Sequence, residues 1–214
     1  MASIAIIDYG MGNLHSIAKA MEHIAGKNRV VVSSRRADIL AADRVVFPGV
    51  GAIRDCMGEL QASGLDQVVL EAACSKPLLG VCLGMQALLD SSEENQGITC
   101  LGIIPGRVAR FAADLKTVDG GRLKIPHMGW NQVMQQRAHP LWRNIPDGSR
   151  FYFVHSYYAI PEVDACVAAV TPYGIDFASV ISQDNVFAVQ FHPEKSQHSG
   201  LGLLSNFVSW DGES

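Results

Sequence analysis

A chain of 214 residues, 48% of them hydrophobic and 18% charged, can bury one substantial core and is short for two. A net charge of -4, with no run of five like charges, argues against nucleic acid as a partner, because phosphate binding takes clustered Lys and Arg. No apolar run approaches the roughly 18 residues of a membrane span, and Met1 is followed almost at once by a strand-like segment instead of a secretory leader.

Five cysteines stand at 56, 74, 82, 100 and 166, odd in number and never as C-x-x-C, which suits neither zinc nor a disulfide framework. Cys56, Cys74, Cys100 and Cys166 read as small buried hydrophobes. The expectation is one domain over residues 1–214, cytoplasmic, with no metal, no other cofactor and no membrane.

Residues 3–8 read as a buried strand and Tyr9-Gly10-Met11-Gly12-Asn13 as a turn. Leu14, Ile17, Ala18, Met21 and Ile24 then recur at helical spacing. Residues 29–32 and 44–47 are short strands, the second closed by Pro48; 65–74 is a helix, 77–81 a buried strand and 84–89 a helix. Strands that alternate with helices and are apolar on both faces predict a parallel sheet covered on both sides. The second half changes character. Residues 107–111, 130–134, 151–160, 165–170, 177–182 and 186–191 look extended, and Gln183-Asp184-Asn185 between the last two predicts an antiparallel hairpin. Residues 201–208 close the chain as a short helix. The predicted fold class is α/β, a central mostly parallel sheet flanked by helices with additional antiparallel strands.

Gly80-Val81-Cys82-Leu83-Gly84 stands where a strand gives way to a helix. It is the G-x-nucleophile-x-G pattern with cysteine in the serine's place. The turn is tight, so the residues two away must be small, and the thiol falls near a helix N-terminus that favours a thiolate. The N–H of Leu83 is then free to meet a developing oxyanion. Taken alone, the glycines fit simple helix–strand packing equally well. A catalytic cysteine also needs a base. Of seven histidines, His192 follows a strand and precedes Pro193, which biases it toward extended backbone. Positions i and i+2 of an extended segment share a face, so Glu194 can meet one ring nitrogen while the other faces the thiol.

Gly80-Val81-Cys82-Leu83-Gly84-Met85-Gln86 with Phe191-His192-Pro193-Glu194 resembles the class I (triad) glutamine amidotransferases, flavodoxin-like in fold. More narrowly, Asp8-Tyr9-Gly10-Met11-Gly12-Asn13-Leu14, Pro48-Gly49-Val50-Gly51, Pro126-His127-Met128-Gly129-Trp130-Asn131 and Val154-His155-Ser156-Tyr157 resemble the glutaminase subunits of imidazole glycerol phosphate synthases of histidine biosynthesis. Residues 112–122 match nothing in that pattern and read as a variable loop.

The resemblance implies that Cys82, His192 and Glu194 hydrolyse L-glutamine through a γ-glutamyl thioester, with an oxyanion held by the N–H groups of Leu83 and Val50. It implies that glutamine is held by main-chain groups of Gly49 and Gly51, by Gln86, by Glu94 at the amino group, and by Ser156 and Tyr157 at the carboxylate. Glu93 is the alternative to Glu94. Gln86 lies one helical turn after Cys82, on the same face. Glycines 49 and 51 would let the Val50 peptide flip, a means of regulation. No phosphate-binding motif stands in the chain, which suits a subunit whose second substrate is bound elsewhere. By resemblance the partner is a (β/α)₈-barrel cyclase subunit in a heterodimer, with Asn13 and Trp130 at the interface. The remaining readings are a triad glutaminase serving another synthase, a cysteine peptidase-like hydrolase of the same sheet type, in which Gln86 and the Val50 loop would lack a role, and a non-catalytic subunit that only stabilises its partner.

Overall fold

The first half of the chain alternates strand and helix, and it builds the parallel part of the sheet. A computed structural model describes residues 2–11, 14–116 and 119–213. In chain order come β1 (Ser3–Ile7), α1 (Leu14–Ile24), β2 (Arg29–Ser33), α2 (Arg36–Ala41), β3 (Arg44–Gly49), α3 (Ile53–Ser63), α4 (Leu65–Ser75), β4 (Leu78–Cys82) and α5 (Leu83–Ala87). Then follow β5 (Ser91–Ser92), β6 (Ile98–Thr99), β7 (Gly106–Arg110), β8 (His127–Gln132), β9 (Met134–Gln135), β10 (Arg150–His155), β11 (Tyr157–Pro161), β12 (Val167–Pro172), β13 (Asp176–Gln183), β14 (Val186–Val189) and α6 (Gln197–Ser209).

Strands β2, β1, β3, β4 and β14 lie side by side and parallel. β13 joins β14 through the expected antiparallel hairpin, and β12, β11 and β7 extend the sheet antiparallel. β8 and β10 pair apart from it as a two-stranded ribbon. The α/β expectation holds.

Alternate residues of the parallel strands face opposite sides, as a period of two requires. Ala5, Ile7, Val45 and Phe47 pack with α3 and α4 through Cys56, Leu60, Val69 and Ala72. Ile4, Ile6, Val46 and Val81 pack with α1 and α6 through Ile17, Met21, Leu203 and Phe207. Among the described residues, no helix is long and apolar enough to cross a membrane.

Four features depart from the sequence expectation. Helices α2 and α3 went unread. α3 buries Ile53, Cys56, Met57 and Leu60 at helical spacing, but charged and polar residues between them dilute the pattern, and α2 buries only Ile39. The stretch 151–160 is two strands in two sheets, broken at Ser156. The helix expected at 84–89 is the five-residue α5. Cys74 is exposed, whereas Cys56, Cys100 and Cys166 are buried.

Candidate active site

The carboxyl ends of β3, β4 and β14 converge, and open α/β sheets present their ligand crevices at such ends. Gly49 is in register with Cys82, and Val189 with Val81. A cavity of about 330 Å³ opens there, the size of a small-metabolite site. It is lined by Cys82, Leu83, Gln86 and His192, by Val50, Gly51 and Glu94, and by Pro126, Val154, His155, Ser156 and Tyr157.

Cys82 has φ 55° and ψ -109°. A non-glycine residue at positive φ is strained and holds only where its surroundings over-determine it. The surroundings here are tight. A Cβ on Gly84 would fall 2.0 Å from the Phe47 carbonyl oxygen, and one on Gly80 would fall 2.9 Å from Ala188 Cβ. Gly84 is therefore required where α5 meets β3, and Gly80 where β4 meets β14 and the end of α5. Because α5 is little more than one turn, its dipole is a smaller influence on the thiol than a full helix would give.

His192 is extended, with φ -100° and ψ 96°, and Pro193–Lys195 forms a 3₁₀ turn that brings Glu194 back to it. His192 Nδ1–H donates to Glu194 Oε1 at 2.9 Å, and the two side chains are 2% and 3% exposed. The main chain is pinned on both sides. His192 N–H donates to the Tyr152 carbonyl at 2.9 Å, and the Ser196 hydroxyl donates to the His192 carbonyl at 2.6 Å. Among the described residues, His192 Nε2 meets no hydrogen-bonding partner, and the ring borders the cavity. Burial works against a charge on His192, but the ionised Cys82 sulfur and the Glu194 carboxylate outweigh it, and its pKa is pushed up to about 10.

Glu94 borders the cavity and accepts from the Ile53 N–H at the start of α3, at 3.0 Å. Glu93 instead accepts from the Arg110 N–H and lies near the Arg107 guanidinium, exposed. Gly49 stands behind the cavity wall, and its need for glycine is space: a Cβ there would lie 2.6 Å from the Tyr9 hydroxyl and 2.9 Å from Leu83 Cβ. Gly51, at φ 102°, is the position that uses glycine's conformational freedom. Trp130 is 39% exposed and Met128, on the same face of β8, is 62% exposed. Asn13 lies outside the described residues.

Sequence reasoning missed Gln190. It is fully buried, and its amide Nε2 donates to Cys82 Sγ at 3.7 Å. The i, i+2 spacing before His192 is the signal in the sequence; in the fold, Gln190 follows the Val189–Val81 register pair and so falls beside Cys82. Among the described residues, no group of three or more His, Cys, Asp or Glu is arranged to hold a metal ion.

The family model described as Glutamine amidotransferase class-I matches residues 5–209, and the chain belongs to that family. Within the class the similarity narrows to one subunit. The chain is 60% identical over 214 residues, the full length of both proteins, to "Imidazole glycerol phosphate synthase subunit HisH" of Nitrosococcus oceani. It is 58% identical over 212 residues, 99% of both proteins, to "Imidazole glycerol phosphate synthase subunit HisH 1" of Pseudomonas aeruginosa. Among solved structures, PurLQS from Thermotoga maritima is similar with a TM-score of 0.73 at 14% identity, over 98% of this chain and 99% of that one. A "Crystal structure of glutamine amidotransferase" has a TM-score of 0.72 at 15% identity, over 96% and 99%. At such identities the structural likeness speaks for the fold alone.

Proposed function

We propose that this chain is the glutaminase subunit of imidazole glycerol phosphate synthase. It hydrolyses L-glutamine and passes the ammonia to a (β/α)₈-barrel cyclase subunit in histidine biosynthesis. The observation that carries the reading is the buried His192–Glu194 pair beside Cys82, in a cavity of small-metabolite size. The full-length identity to HisH subunits supports the choice of synthase.

Cys82 attacks the γ-amide carbon of glutamine as a thiolate, and a C–S bond forms. The oxyanion is met by the main-chain N–H groups of Leu83 and Val50, each donor of this kind typically worth about 10²–10³ in turnover. His192 enters the reaction protonated, in keeping with its raised pKa. Its proton passes to the nitrogen, the C–N bond breaks and ammonia leaves. Neutral His192 then takes a proton from water, the hydroxide adds to the thioester, and the C–S bond breaks. Glutamate departs, and the thiolate and imidazolium are restored. Glu194 holds the ring throughout.

Glu94 accepts from the substrate ammonium. Gln86 assists, because both protons of its amide already serve Tyr157 O and Gln190 Oε1, which leaves its oxygen as the group to offer. Main-chain groups of Gly51 help to seat the substrate, and Ser156 and Tyr157 meet its carboxylate. Met128 and Trp130 supply apolar surface for the cyclase subunit. Five free cysteines support a reducing compartment, the cytoplasm.

The test is glutamine hydrolysis by the purified chain, alone and mixed with the cyclase subunit and its nucleotide substrate. The mixture should release glutamate and ammonia, and Cys82→Ala should lose essentially all of that activity. Full activity in Cys82→Ala, or no activity in the mixture, would overturn the proposal.

A further inference from the structure

The hydrogen bonds around Cys82 admit one consistent placement of protons. The Tyr157 carbonyl can only accept, and Gln86 Nε2 meets it at 3.1 Å, so the nitrogen of that amide is fixed there. The same nitrogen donates to Gln190 Oε1 at 2.9 Å. Gln190 therefore turns its own NH₂ the other way, 3.7 Å from Cys82 Sγ. Turning the Gln190 amide over would set nitrogen against nitrogen and oxygen against sulfur. The Gln190 main chain is held too, its N–H donating to the Ser179 carbonyl at 2.9 Å.

Geometry excludes a merely space-filling account of this side chain. Burying an amide without partners costs free energy. Gln190 is fully buried and finds both of its partners in the site, the sulfur on one side and a cavity-lining glutamine on the other. A chain of three hydrogen bonds thus runs from a main-chain carbonyl to the Cys82 sulfur.

We propose that Gln190 is a positioning residue for the reaction: its side-chain N–H holds the Cys82 sulfur in place and stabilises the thiolate that attacks and is later released. The proposal rests on the reading of Cys82 as the nucleophile. It assigns Gln86 a second duty besides facing the substrate, since the Gln86 amide sets the direction of the Gln190 amide.

The full-length protein, with Gln190→Met and Gln190→Glu, tests it. Methionine keeps the approximate shape and removes the donor; glutamate keeps the shape and opposes a thiolate. The first readout is the rate of iodoacetamide labelling at Cys82 against pH, followed by mass spectrometry of the Cys82 peptide. One charge-assisted hydrogen bond corresponds to about one pH unit, a tenfold change. The labelling profile of Gln190→Met should move to higher pH by about one unit, so that labelling on its acidic limb slows about tenfold. Gln190→Glu should move it further in the same direction. The second readout is glutamine turnover in the complex with the cyclase subunit: kcat should fall about tenfold, with KM changed less than about twofold. A variant that melts far below the wild-type protein is set aside and the other decides. Unchanged labelling profiles in folded variants would overturn the role. Labelling needs no glutamine, so failure of the glutaminase reading shows separately, as a wild-type complex that does not hydrolyse glutamine.

Discussion

His192, just beyond β14, and the pair His127 and His155, on the β8–β10 ribbon whose His155 borders the same cavity, are buried to nearly the same depth, 2%, 3% and 6% exposed. They are driven in opposite directions. His192 is pushed up to about 10. His127 is pushed down to about 4 by burial, and His155 to about 3 by burial and by the neighbouring rings of His127 and His192. The difference lies in the partners. His192 faces the ionised Cys82 sulfur and the Glu194 carboxylate, both of which favour an imidazolium. His127 and His155 stand directly opposite each other on β8 and β10. His155 Nδ1–H donates to the Tyr157 carbonyl at 2.7 Å, so its Nε2 accepts from His127 Nδ1–H at 3.0 Å. His127 Nε2 in turn accepts from Asn131 Nδ2 at 3.3 Å. No site in that chain is left for a further proton. Depth alone strips charge from a histidine, and only anionic partners restore it.

The largest way to break the contrast is Glu194→Gln. It removes an anion that raises the His192 pKa and offers Nδ1 a group able to hold the wrong tautomer. Glutamine turnover should fall about 10²–10³-fold. Because losing the carboxylate lowers the His192 pKa, the alkaline limb of the residual pH–rate profile should move to lower pH. An unmoved limb would contradict the stated cause of the shift.

A smaller effect should appear in stability. The folded-state pKa values of His127 and His155 are depressed, so below about pH 6.5 the unfolded chain takes up protons that the folded chain refuses. Their contribution to stability is complete above that range and is lost as pH falls toward about 4. Urea unfolding at a series of pH values should show this decline, and His127→Asn should make the slope shallower by about one proton. An identical slope in the variant would mean that the ring is not held neutral.

The two regions also differ in how far the sequence revealed them. The proposed triad was legible because its parts are local patterns: glycines at fixed offsets around Cys82, and the close spacing of His192, Pro193 and Glu194, although a 3₁₀ turn and not the expected extended backbone brings Glu194 to His192. The parallel strands were legible because they are apolar on both faces. The histidine ribbon was not, because its contacts depend on the register of β8 against β10 across a long stretch of chain, and because Ser156, inside a run that reads as one strand, divides two sheets. Gln190 was missed for a similar reason. Its neighbour Cys82 lies 108 positions away, and only the pairing of β14 with β4 brings them together. Glu94 was chosen over Glu93 by resemblance, and the physical difference between them is visible only where α3 begins.

The most direct measurement is a rapid acid quench of the complex during glutamine turnover, followed by mass spectrometry of the Cys82 peptide. A γ-glutamyl adduct on Cys82 that builds up and decays with turnover is the expected result. Glutamine hydrolysis at full rate with no adduct on Cys82, or with the adduct on another residue, would contradict the account.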